Sequence, residues 1–155
     1  SVNAPIHLER AARLLKLGLN RIYDLRFVRE CSRDIPLRDP EGARKYRIPW
    51  GASLHDFDSI YTAPAAGFRS REHYYESCST YRVLEEIRVP TLLLTSEDDP
   101  FVDVRDYLEA KLSPAIRLHV EKFGGHMGYL TARRTPLGTR RWLDYALREA
   151  MSAFA

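Results

Sequence analysis

The stretch that most limits the possible folds is "VPTLLLTS", residues 89–96. It is a short, continuous apolar run beside a proline, the composition of a strand buried on both faces of a parallel sheet. Such a strand cannot stand alone, because an open edge exposes unpaired backbone and a flat apolar surface that invites aggregation. Parallel neighbours joined by helical crossovers are therefore expected around it. The residues that follow supply one such neighbour. Asp103 can cap a helix carrying Val104, Tyr107 and Leu108, and residues 116–121 then alternate, with Ile116, Leu118 and Val120 on one side and Arg117, His119 and Glu121 on the other. This is a half-exposed strand near a sheet edge. A last helix, starting near Thr139, sets Leu143, Ala146, Leu147, Ala150, Met151 and Phe154 along one stripe. Strand, helix, strand, helix over residues 89–155 is α/β with parallel topology.

Residues 1–88 read differently, as a helical segment. Leu8, Ala11, Ala12 and Leu15 form one stripe of a first helix, with Gly18 as its stop. A second helix is expected over residues 20–31, where Ile22, Leu25 and Val28 make one ridge and Tyr23 and Phe27 another. Residues 33–52, rich in proline, glycine and charge, predict a loop with short helical turns at most. The aromatic stretch 53–79 is helix-like in two halves broken by Pro64 and Gly67, and its Phe57, Tyr61, Phe68, Tyr74 and Tyr75 read as core in preference to a pocket lining. With so little strand character upstream, the sheet is incomplete within these residues. Missing N-terminal sequence or a partner chain is expected to complete it, and the start at Ser1 without a methionine suggests a processed product or a piece of something longer.

Composition closes off several function classes. The 155 residues, 45% hydrophobic, are enough for a core. The 24 basic and 21 acidic residues are spread along the chain, so no nucleic-acid partner is implied. The densest basic stretch, Arg133 to Arg141, lacks both a glycine-rich phosphate cradle and interleaved aromatics, and reads as a solvated face. Cys31 and Cys78 match no zinc spacing and read as reduced. His7, His55, His73 and His119 show no metal-binding spacing either, so neither metal nor cofactor is expected. No run approaches the roughly 18 apolar residues of a transmembrane segment, and the front carries no export signal, which points to a cytoplasmic setting.

Chemistry gathers where the two strands end. In open α/β sheets, functional groups sit on loops beyond the carboxyl ends of the strands. The first strand runs into Glu97, Asp98 and Asp99, and the second into "KFGGHMG" with His126 between glycines. Alone, an acidic cluster before proline is a turn or a helix cap, and a histidine among glycines is an ordinary loop residue. Together, on successive strand ends, they form an acid that can fix the tautomer of an imidazole and stabilise its protonated form. The order matches the tail of a serine-hydrolase triad.

The run "IRVPTLLLTSEDDPFV…GGHMGYL…WL" resembles the C-terminal portion of α/β-hydrolase-fold enzymes, and within them the YheT-like branch of serine esterases. The FD, T-x-P, GF and YY series between residues 56 and 75 is similar to the segment between that family's cap and its acid-bearing strand, and "VNAPIHLERAARLL" to the segment after its sixth strand. The likeness covers nearly the whole chain. It implies a cap-region segment over residues 1–88, followed over residues 89–155 by the last two parallel strands and their helices. It also implies a carboxylic-ester hydrolase taking a small-molecule ester or lipid-like substrate. His126 would be the general base and Asp99 the orienting acid, from its place directly before Pro100-Phe101-Val102, with Asp98 as competitor; the acid not used would cap or brace the loop. The nucleophile elbow G-x-S-x-G, which this family carries upstream, does not occur here. The nearest string, "GASLH" around Ser53, ends in histidine and follows no apolar strand. An alternative keeps the fold's ending as a non-catalytic binding or assembly module, and a minor one makes the complete protein a thioesterase, acyltransferase or peptidase.

Overall fold

In the computed structural model, which describes residues 1–154, with the Phe154 side chain outside the described set, two compact units divide the chain. Ser1–Ile6 join the residues from Thr80 onward in one unit, and His7–Ser79 form the other. These boundaries follow packing, whereas the change of pattern near residue 88 follows the switch from helical to strand composition.

The helical unit begins with α1, Leu8–Leu15, burying Ala12 and Leu15 as the stripe requires. Helix α2 is longer than its composition suggests, running Asn20–Arg38, so the loop expected from residue 33 starts only after Arg38. Pro36 lies close enough to the helix end to remove a single backbone bond, and continuing the helix keeps Ile35 in the core beside Val28, Ala52 and Phe57. The buried face of α2 is also not the expected ridge. Asp24, Val28 and Ile35 are buried, while Ile22, Leu25, Tyr23 and Phe27 are exposed. The short α3, Pro40–Lys45, is capped by Asp39. Helix α4, Leu54–Phe57, then passes through a π-helical turn at Asp58–Thr62 into α5, Ala63–Ala65, so Pro64 does not break the run. The break comes at Gly67, whose φ of 79° ends it. Helix α6, Arg71–Cys78, packs Tyr75 inward with its hydroxyl donating 2.7 Å to Asp58 Oδ2.

The other unit holds the sheet. Strand β1, Thr91–Ser96, pairs in parallel with β2, Ile116–Glu121, in the register Thr91 with Ile116 through Ser96 with Glu121. Between them runs α7, Val104–Glu109, capped by Asp103 as expected. The opposite edge of β1 is also paired. Val2 bridges Leu94 in parallel, and the Leu94 N–H and carbonyl bond Ser1 O and Asn3 N at 2.9 and 2.8 Å. Three residues are too few to carry a strand pattern, so the sequence gives no sign of this partner. Consecutive residues of β1 face opposite ways. Leu93 packs with Ile6, Leu84, Val102 and Tyr107, and Leu94 with Tyr129 and Leu143. Helix α8, Trp142–Phe154, buries Leu143, but Leu147 and Met151 farther along the expected stripe are exposed. Cys31 and Cys78 are free and exposed.

Candidate active site

The turn after β1 and the glycine loop after β2 start from strands in register, so their residues meet at one end of the sheet. His126 Nδ1 lies 3.0 Å from Asp99 Oδ2. The carboxylate of Asp99 is fully buried, whereas the imidazole is 37% exposed. Asp99 Oδ1 also accepts the N–H groups of Phe101 and Val102, at 2.8 and 3.1 Å. An ionised carboxylate can only accept, so beside ionised Asp99 a neutral His126 ring carries its proton on Nδ1 and its lone pair on Nε2. The Phe101 ring meets the imidazole edge-on, with centroids 5.1 Å apart.

Asp98 does something else. Its Oδ1 accepts the N–H groups of Gly124 and Gly125, at 2.8 and 2.7 Å, and these bonds hold its carboxyl below the usual carboxylate range. Of the two candidate acids, Asp99 reaches the ring and Asp98 grips the loop. The glycines have separate reasons. A Cβ on Gly124 would lie 2.5 Å from the Tyr129 ring, and Gly125 adopts φ 54°. Gly124 O closes the turn by accepting the N–H groups of Gly128 and Tyr129.

Three residues that pattern reading passed over support the loop: Asn3 and Ser96 donate to its Gly125 carbonyl, and Tyr129 donates to Asn3. All are buried polar or aromatic side chains whose partners are distant in sequence, and a single sequence carries no signal for that. Ser53 caps α4 instead of standing free. Its hydroxyl donates 2.5 Å to Asp56 Oδ2 and accepts the Asp56 N–H, and it is 1% exposed. Among the described residues no cluster of histidine, cysteine and carboxylate side chains could hold a metal ion, and no helix is long and apolar enough to cross a membrane.

The chain is also similar in sequence to several curated proteins. Over 103 residues, 66% of this chain, it is 35% identical to medium-chain fatty acid ethyl ester synthase/esterase 2 of Saccharomyces cerevisiae. Over 166 aligned residues, 99% of the chain, it is 26% identical to YheT of Escherichia coli. The chain belongs to the α/β-hydrolase superfamily. Its near-complete alignment with YheT sets it in the YheT-like branch of α/β-hydrolases, and its architecture is that of the C-terminal part of the fold. A third α/β-hydrolase relative, phospholipase ABHD3 of Mus musculus, is 34% identical over 80 residues, half of the chain. The matches span 22%, 46% and 20% of these relatives, so the chain corresponds to less than half of each. No family model matches the chain, and no solved structure matches it.

Proposed function

We propose that this chain supplies the acid and the base of a Ser-Asp-His carboxylic-ester hydrolase whose nucleophilic serine lies in sequence upstream of Ser1. The observation that carries the reading is the 3.0 Å contact between the buried Asp99 carboxylate and Nδ1 of the partly exposed His126. His126 Nε2 takes the serine proton as the hydroxyl attacks the ester carbonyl. Asp99 stabilises the imidazolium that forms, and the proton then passes to the departing alkoxide. Water repeats the sequence on the acyl-serine and releases the acid. The curated relatives named esterase, ester synthase and phospholipase favour an ester substrate of lipid or acyl type.

A fluorophosphonate probe tests this directly. The complete protein is expected to label on serine and to hydrolyse p-nitrophenyl esters, with both lost on His126→Ala, while residues 1–155 alone stay unlabelled. Labelling of the 155-residue chain at Ser53 would move the nucleophile into the helical unit and sink the proposal.

A further inference from the structure

We infer that Asn3 is a positioning residue for His126, acting with Ser96 through the peptide groups that carry the imidazole; this deepens the hydrolase reading and rests on it. Asn3 is 1% exposed, and both ends of its amide are engaged. Nδ2 donates to the Gly125 carbonyl at 2.9 Å and to the carbonyl of His126 itself. Oδ1 accepts the Tyr129 hydroxyl at 2.7 Å, and burial raises that phenol, keeping it a donor. Ser96 Oγ donates to the same Gly125 carbonyl at 2.7 Å. Because Asp98 holds the N–H groups of Gly124 and Gly125, the loop is gripped on both sides, its donors by a carboxylate and its carbonyls by an amide and a hydroxyl.

A single hydrogen bond at Nδ1 leaves the ring free to swing with its backbone. Fixing the carbonyls on either side of the His126 Cα fixes the direction of its Cα–Cβ bond, and so the direction in which Nε2 points. Little reorganisation is then left for the moment of proton transfer. The clamp is itself rigidly mounted, since the Asn3 N–H is bonded to Leu94 O on β1. A primary amide suits this place, offering two donors and an acceptor on one short fork, and asparagine tolerates the φ of 43° found here.

Asn3→Asp in the complete protein is the test. It keeps the shape, the backbone tolerance and an acceptor for Tyr129, but turns the donor end into an acceptor facing two carbonyls. The expected result is a kcat on p-nitrophenyl butyrate about 10- to 100-fold lower with KM within about twofold, the pattern of lost preorganisation. The downfield Nδ1 proton resonance of His126 should broaden or vanish. Unchanged kcat and resonance overturn the inference, as does a loss of activity that only follows a lower melting temperature. Should Asn3→Asp fail to fold, Ser96→Ala decides, since it deletes one donor to Gly125. There kcat should fall by about threefold and the resonance should shift, and no change in either overturns the clamp. If the wild-type protein hydrolyses no ester, the hydrolase reading fails by itself, and the resonance comparison still decides whether Asn3 sets the ring.

Discussion

The side-chain carboxylates of Asp24 on α2 and Asp99 after β1 are both fully buried, and they serve opposite purposes. Each takes backbone N–H on one oxygen. Asp24 Oδ1 accepts Leu54 N–H at 2.6 Å, and Asp99 Oδ1 accepts those of Phe101 and Val102. The other oxygen makes the difference. Asp24 Oδ2 pairs with the Arg21 guanidinium, which does not give up its proton, so the pair is a static brace between α2 and the start of α4. Asp99 Oδ2 meets an imidazole, which can take and return a proton through a second nitrogen. Burying an acid therefore does not make a site. What matters is whether its partner can exchange a proton and reach solvent.

That contrast can be broken by substitution. Asp99→Asn should lower ester hydrolysis by the complete protein about 10³- to 10⁴-fold with little change in melting, because the amide removes the acceptor that sets the imidazole tautomer. Asp24→Ala should act the other way round. It is expected to cost about 2–3 kcal/mol in urea unfolding, less than a fully enclosed pair because Arg21 is 34% exposed, with activity per folded molecule retained. If Asp24→Ala abolishes turnover in folded protein, the division into brace and site fails. Gly124→Ala drives a Cβ into the Tyr129 ring and should cost about 1–3 kcal/mol together with most of any ester hydrolysis by the complete protein, since the same loop carries His126, the proposed base. The smallest effect concerns acid. The folded Asp98 carboxyl sits below its ordinary value, so the stability it adds is fully present above the ordinary carboxylate range and is lost as pH falls through the depressed value. The protection of the Gly124 and Gly125 amides, measured relative to their intrinsic exchange rate at each pH, should fall in that acid window, and Asp98→Asn should flatten the response.

How much of this was legible in sequence depended on pattern length. Residues 116–121 alternate over their full span and formed the expected strand, and the apolar run at 91–96 formed its parallel neighbour. Helix α1 followed its stripe for the same reason. That an acid after the first strand could meet His126 was legible from their places on successive strand ends, whereas preferring Asp99 to Asp98 rested on the family resemblance. Helix α2 was harder. Asp24 is a charged residue on the buried face, and Pro36 lies inside the helix, so composition pointed away from both outcomes. Burial of Asp24 depends on Leu54 and Arg21, and only three-dimensional placement brings the first of these near. The clamp under His126 was invisible likewise, because Asn3, Ser96 and Tyr129 belong to three separate segments.

The distance along the chain between Asn3 and the carbonyls it holds has a kinetic consequence. Those contacts span 122 and 123 residues, so the closure entropy they demand is among the largest in the molecule. Strand pairing and helix docking can proceed with far shorter loops, and contacts this non-local form late. A refolding chain should therefore recover its far-ultraviolet signal before its imidazole acquires a fixed direction, making chemical competence the last property to mature.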